Sequence, residues 1–478
     1  MMRISTLFLV ALTSQSLFSQ QSAFEAFLAD SSMRSGSVSF HLIDAKRGST
    51  IYDHNSGKSL IPASVLKLVT TSAALELLRP DHTFTTAIGY IGTLNSRTGV
   101  LKGNIIIKGG GDPVLGSKAF YSHYADFEEE WVEKIKKAGI RKIKGKVVTD
   151  DSYFDYQPVP GKWLWEDTGN YYGAGAFGLS LYDNSYEIHF RTSSDGLTHE
   201  VTGIFPEECR VDMTDMLTVS GTEDHGYVYA TPYSTTGWMA GTIPAVENDF
   251  VLGASITDPP LLMARMLDNK MRNSGIKTTD KPSTVRLQQG SADGFVEISN
   301  IISPPLIEIL CVLNHESVNL YAEHLVKELG KRFKDSGSTD SGLVVIDEFL
   351  KDAGINSEGI FMEDGSGLSP LNSVSAEGLT GLLFFMKTKS KHPDVFINSL
   401  PEAGREGTLK NYFRDPVFEN RLVAKSGSMT RVRAYAGYLE AVSGKELIFC
   451  IIVNNFTGPS RNIVTHIENI LKETILSY

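Results

Sequence analysis

Cysteine is scarce. The chain of 478 residues has three, Cys209, Cys311 and Cys450, an odd number that cannot all pair. Cys311 and Cys450 lie inside apolar runs, so buried free thiols are expected and the fold does not depend on disulfides. Cys-x-x-Cys and His-x-x-x-His are both missing, which leaves no visible ligand set for a catalytic zinc. A positive excess is missing too: 45 Lys and Arg against 56 Asp and Glu give a net charge of −11, so nucleic acid is set aside as a partner. Beyond the first residues no apolar run reaches the roughly 18 residues of a membrane span, and no stable membrane anchor is expected. There is no internal repeat and no low-complexity tract. What remains, 41% hydrophobic and 21% charged residues, suits a globular enzyme, long enough for about three domains.

Met1-Met2-Arg3 followed by the short apolar run 4–12 reads as a signal peptide, taken as 1–20, with removal between Ser19 and Ala23. The mature chain is then expected in the periplasm or cell envelope. Alternation over 38–44 and 49–54 predicts a hairpin, and Pro62 precedes a helix over 64–78 that is apolar on nearly every face and belongs inside a domain. From about 84 to 287 the texture turns to short strands separated by Gly, Asp, Asn and Pro. Helical spacing returns over 320–333, 342–353 and 376–387. A second hairpin is predicted over 434–441 and 447–453, and Ile463, Val464, Ile467, Ile470, Leu471 and Ile475 form a one-sided helical stripe suited to packing on it.

Ser64-Val65-Leu66-Lys67 puts a hydroxyl at the start of the buried helix and an amine one turn later on the same face. A serine becomes nucleophilic when something takes its proton, and a lysine can take it when desolvation or a neighbouring cation keeps the amine neutral. The helix start adds N–H groups that favour developing negative charge. The spacing alone is cheap. Ser274-Gly275-Ile276-Lys277 repeats it where Gly275 and the following Thr, Asp and Pro deny a buried helix, and a capping serine beside a snorkelling lysine would also account for Ser64 and Lys67.

Two further stretches change the balance. Ser317-Val318-Asn319 opens the helix-like segment from Leu320 and offers a hydroxyl and an amide from a turn. Lys425-Ser426-Gly427-Ser428 stands just before the second hairpin. There Lys425 can supply a cation near Lys67 and near a substrate carboxylate, Gly427 lets a substrate backbone approach the strand edge, and the hydroxyls of Ser426 and Ser428 can bind that carboxylate. Each stretch alone reads as a plain loop; the three in this order and context do not. Weaker signals point elsewhere. Gly173-Ala174-Gly175-Ala176-Phe177-Gly178 has the spacing of a dinucleotide loop, but 179–190 reads as strand and turn, so no cofactor is expected. His315 reads as a surface or structural histidine. Asp150-Asp151 could hold a cation or a peptide amine, although a solvated turn is the favoured reading.

The three motifs resemble the active-site signature of the penicillin-recognising serine enzymes, the β-lactamases and penicillin-binding proteins. The long β-rich interval between the first two is similar to that of the class C low-molecular-mass penicillin-binding proteins, the D-alanyl-D-alanine carboxypeptidase/endopeptidase family, which carry two inserted domains there. Lys108-Gly109-Gly110-Gly111-Asp112-Pro113, Asp364-Gly365-Ser366-Gly367-Leu368-Ser369 and Arg405-Glu406-Gly407-Thr408-Leu409 look like further signatures of that family, and the resemblance runs from about 38 to the C-terminus. The chain departs from it at Val318, where the family usually has Asp, and at Ser426, where it usually has Thr.

The resemblance implies an α/β (α+β) fold: a β-lactamase/transpeptidase-like catalytic domain from 24–84 and 304–478, an inserted domain II from 85–109 and 202–303, and an inserted domain III from 110–201. It implies that Ser64 attacks the penultimate D-alanine of a peptidoglycan stem peptide, that the N–H groups of Ser64 and Ser428 hold the oxyanion, that Ser317 with Lys67 returns a proton to the leaving amine, and that Asn319 orients the substrate and Lys67. β-Lactams are then covalent inhibitors. Two alternatives stand beside this reading, a β-lactamase and a non-catalytic envelope scaffold or β-lactam sensor, and self-association into a homodimer is left open.

Overall fold

Strands from both ends of the chain build one antiparallel sheet of β1 (Ser37–Asp44), β2 (Thr50–His54), β3 (Leu422–Met429), β4 (Val432–Glu440) and β5 (Glu446–Asn454), in the order β3-β4-β5-β1-β2. The computed structural model describes residues 22–193, 195, 197–209, 211–288 and 294–478; the signal-peptide stretch 1–20 lies outside the described residues. The sheet belongs to the first of two compact units, which gathers the described part of Met1–Pro80 with Leu310–Val318 and Leu343–Tyr478.

Pairing of Phe40 with Ile451 and of Leu42 with Phe449 puts these side chains on one face, packed with Phe24 and Phe27 of helix 22–29 and with the apolar stripe of the C-terminal helix. Three helices of this unit matter below: α1 (Lys67–Leu78), α2 (Ala376–Thr388) and α3 (Ser460–Ser477). The six apolar residues of the α3 stripe are all fully buried, as the spacing predicts. On the opposite face α2 packs on the sheet, with His41 Nδ1 2.6 Å from Thr380 Oγ1 and the Tyr438 hydroxyl donating to the Leu383 carbonyl at 2.8 Å. Coverage of both faces explains why β5 reads Ile448-Phe449-Cys450-Ile451-Ile452 without alternation. Each such side chain contributes about 1.5–3 kcal/mol by leaving water. The three cysteines are free, with Cys209 and Cys450 buried and Cys311 partly so.

The second unit, Asp81–Ile309 with Asn319–Gly342, holds the β-rich interval. One of its sheets joins the strands Thr85–Asn95, Val100–Lys108, Lys142–Lys144, Val147–Asp150, Lys277–Thr278, Ser283–Thr284 and Val296–Ile302. Two three-stranded sheets follow, one of Ser185–Thr192 between His199–Phe205 and Phe250–Ser255, the other of Thr236–Ile243 between Asp212–Val219 and His225–Tyr229. The boundary set at 201/202 from the sequence falls within the strand His199–Phe205, which pairs with the preceding strand Ser185–Thr192. Among the described residues no helix is long and apolar enough to cross a membrane.

Candidate active site

The chain enters α1 through a tight turn. The sequence predicts a helix from Ser64, but Ala63–Leu66 is a single 3-10 turn and the α-helix begins at Lys67. Ala63 has φ +47°, a left-handed conformation that costs a side-chain-bearing residue about 1–3 kcal/mol and persists only where surroundings enforce it. The enforcing element is the loop 364–369. The buried Asp364 carboxylate accepts the N–H groups of Gly367 (2.7 Å) and Ser369 (2.6 Å) and the Asn372 amide (2.9 Å), folding the loop onto the turn. A Cβ on Gly367 would lie 2.0 Å from the Ala63 carbonyl oxygen, and φ +84° there also demands glycine.

This loop aims main-chain oxygens at α1. Lys67, fully buried, donates to the Ser366 carbonyl at 2.7 Å, and Thr70 Oγ1 donates to the Gly365 carbonyl at 2.7 Å. The same Lys67 Nζ lies 2.9 Å from Ser64 Oγ. An amine so held can keep its donor on the carbonyl while its lone pair faces the serine hydroxyl. The hydroxyl is half-buried, within reach of a ligand.

Lys425 to Ser428 stand just ahead of the hairpin of β4 and β5, as the sequence reading has it, and themselves lie inside the strand β3. β3 is an edge strand whose outer side is partly occupied: the Leu422 carbonyl accepts from Ala403 N–H and Ala424 N–H donates to the Pro401 carbonyl. Because backbone groups alternate sides along a strand, Ser426 and Ser428 present their N–H and C=O groups on that same outer side. A Cβ on Gly427 would meet the Pro62 carbonyl oxygen at 2.5 Å and Ser64 N at 3.1 Å, so only glycine lets the strand press against the serine turn. Lys425 is fully buried, and its amine donates to the Ser426 carbonyl at 3.2 Å. Burial pushes its pKa well below the usual lysine range, the nearby Lys67 charge pushes it further, and Glu316 opposes them. The Ser426 hydroxyl donates to Thr408 Oγ1 at 2.7 Å.

Ser317 terminates the helix Leu306–Glu316, and does not simply open the next one. Its φ of +60° and the bond from Val318 N–H to the Leu313 carbonyl (3.2 Å) make a left-handed helix end. Gly407 packs against that end, where a Cβ would stand 2.2 Å from the His315 carbonyl oxygen, and its neighbour Thr408 meets Ser426. Ser64, Lys67, Ser317 and the four residues of β3 thus belong to one compact unit. Asn319 belongs to the second unit, at the start of the helix Asn319–Lys334, with its side-chain amide donating to the Tyr172 carbonyl at 2.8 Å.

Sequence reasoning gave no task to Asp364, Ser366, Gly367 or Thr408. The Asp-Gly-Ser-Gly run signals a turn, but nothing in it says which lysine the turn will serve. Asp150-Asp151 needs correction: the pair is buried, not a solvated turn. It ends a strand inside the seven-stranded sheet, and a Cβ on Gly178 would be 2.2 Å from the Asp151 carbonyl oxygen, so no water layer separates them. Arg286 Nε stands 3.9 Å from the Asp151 carboxylate, and burial raises the Asp151 pKa to about 6.

A strained serine turn with a buried amine at the hydroxyl, pressed on an open strand edge, is the apparatus of a serine acyl-transfer enzyme. The chain belongs to the D-Ala-D-Ala carboxypeptidase 3 (S13) family, whose profile matches residues 20–473. It is similar to the D-alanyl-D-alanine carboxypeptidase of Actinomadura sp. (strain R39), 27% identical over 448 residues that cover 91% of this chain and 81% of that one. The crystal structure of penicillin binding protein 4 (dacB) from Haemophilus influenzae shares the fold, with a TM-score of 0.79 at 21% identity, covering 92% of this chain and 97% of that one. The same Haemophilus protein complexed with a novel β-lactam gives a TM-score of 0.75 at 21% identity, with the same coverage of 92% and 97%.

Proposed function

We propose that Ser64 is the nucleophile of a serine D-alanyl-D-alanine carboxypeptidase/endopeptidase acting on peptidoglycan stem peptides, with the 2.9 Å approach of a fully buried Lys67 amine to its hydroxyl as the observation that carries the reading. Ser64 Oγ bonds to the carbonyl carbon of the penultimate D-alanine as its proton passes to Lys67 Nζ. The N–H groups of Ser64 and Ser428 receive the oxyanion; losing one such donor costs about 3 kcal/mol of barrier. The proton returns through Lys67 and Ser317 to the departing amine, the C–N bond breaks, and Asn319 orients the peptide. Lys425, crowded against Lys67, disfavours a second proton on the pair and attracts the terminal carboxylate, which Ser426 and Ser428 bind while Gly427 lets the backbone in. Water then hydrolyses the ester. When the departing amine belongs to a crosslink, the same steps make an endopeptidase.

A β-lactam copies the D-alanyl-D-alanine end and acylates Ser64, but its leaving group stays tethered, so inhibition follows. The segment 1–20 supports export to the periplasm or cell envelope. The separate sheets of the second unit support two inserted domains. Family membership favours neither the β-lactamase nor the scaffold alternative. The test is release of D-alanine from stem pentapeptide and cleavage of crosslinked muropeptides, beside Ser64→Ala, with mass mapping of a penicillin adduct. We expect at least a ~1,000-fold loss in the variant and an adduct on the Ser64 peptide. Equal activity of the two proteins, or an adduct elsewhere, overturns the assignment, and fast steady-state hydrolysis of a chromogenic cephalosporin restores the β-lactamase.

A further inference from the structure

The sheet formed by Asp212–Val219, His225–Tyr229 and Thr236–Ile243 buries one face through Leu217, Val228 and Met239. Thr236–Ile243 pairs antiparallel with His225–Tyr229 and parallel with Asp212–Val219, and the face such a small sheet turns to water is ordinarily polar. Here the register puts Thr214, Tyr229 and Trp238 side by side, with Met216 and Tyr227 one pair further along, all on the outer face. Tyr229 and Trp238 are stacked at 10° with centroids 5.2 Å apart, and Trp165, reaching over from a preceding loop, lies 4.9 Å from Tyr229 and 5.9 Å from Trp238. Trp165 is 62% exposed and Trp238 37%. Packing explains rings that are hidden; it does not explain indoles that a sheet holds in water.

These rings line a groove of about 450 Å³, within the size range of small-ligand clefts. None of its lining residues is charged, and its polar side-chain groups are hydroxyls, among them Thr214, Thr231 and Thr236, and the indole N–H groups of Trp165 and Trp238. A neutral lining offers nothing to an ionised peptide end or a phosphate. Flat rings beside hydroxyls suit the C–H faces and equatorial hydroxyls of a pyranose, a ligand that is amphipathic and uncharged in the same pattern.

We propose that this aromatic platform is a glycan-binding site, taking β-1,4-linked N-acetylhexosamine units such as the sugar backbone of the polymer that carries stem peptides. The choice of polymer rests on the proposed function; the pyranose chemistry rests on the rings. Calorimetric titration of the full chain with peptide-free glycan strands, with chito-oligosaccharide and with free stem pentapeptide tests it, using Trp165→Ala and Trp238→Ala. Wild type should bind both glycans, and each variant should bind them at least tenfold more weakly while penicillin acylation of Ser64 and D-alanine release from soluble pentapeptide stay unchanged. Tighter binding of the wall strands assigns the site to that polymer, and equal binding assigns it to the sugar type in general. No binding of either glycan by wild type, or wild-type affinity in a folded Trp165→Ala protein, overturns the proposal. Trp165 is on an exposed loop, so its variant serves even if Trp238→Ala misfolds.

Discussion

Besides Lys67, each unit buries a lysine completely, and the two have opposite surroundings. In the second unit Lys327 donates to the Asp155 carboxylate at 2.5 Å and to the Gln157 carbonyl at 2.8 Å. In the first, Lys425 has a carbonyl at 3.2 Å and, among the described residues, no ion pair. Burial lowers the pKa of both. For Lys327 the Asp155 charge works against that loss, whereas for Lys425 a second amine adds to it. A buried amine with its own carboxylate is a scaffold contact, which fixes Asn319–Lys334 to the chain around 155. A buried amine whose proton is disfavoured further by a second amine is costly to the fold, and the proposed chemistry needs an amine that sheds its proton.

That contrast can be broken by substitution. The largest effect is expected for Lys67→Met: penicillin acylation, followed by intact mass against time, should slow by ~1,000-fold or more, since the proposed base is lost while the hydroxyl stays. Lys425→Met should slow it by ~100-fold and, unlike most active-site changes, raise the thermal midpoint, by roughly 2–4 °C for each kcal/mol regained. Between the depressed folded value of Lys425 and the ordinary 10.5, the unfolded chain holds a proton that the folded one has shed. Stability from this group therefore climbs with pH across that window, and denaturation of Lys425→Met at several pH values should show a flatter climb. Gly367→Ala pushes a methyl into the Ala63 carbonyl and shifts the loop, so kcat should fall by tens to ~100-fold with little change in secondary structure by circular dichroism. Smallest is Lys327→Met. It leaves Asp155 without its amine, and because that carboxylate is 39% exposed the loss should be only about 1–2 kcal/mol, a drop of a few degrees with acylation unchanged. Thermal shifts of one sign for Lys425→Met and Lys327→Met would erase the distinction.

Much of this was legible in the sequence, for reasons that differ by element. The stripe of α3 declares itself because burial against one partner leaves a period in the residues, and β4 and β5 declare themselves as short apolar runs on either side of the turn residues Ser443-Gly444-Lys445. α1 declares itself by having no polar face. Ser64 with Lys67 and Gly427 with its neighbours stood out because the proposed acyl transfer would restrict which residue types can stand at those spacings. The 3-10 entry to α1 was not legible, since left-handed Ala63 is imposed by a loop 300 residues on, around Gly367. Nor was the placement of Lys425 within β3: a strand containing Lys-Ser-Gly-Ser lacks the alternation that marks one, and its edge is shaped by contact with Pro62. The burial of Asp151 was hidden for the same reason, because its cover comes from Gly178 and the chain beyond.

One tether has an evolutionary corollary. Lys67 is held by the carbonyl oxygen of Ser366, and every amino acid brings that oxygen with it. No single codon change at 366 can delete the acceptor. Inherited variation that loosens the amine has to come through positions that set the curvature of the loop, Asp364 and Gly367 first among them.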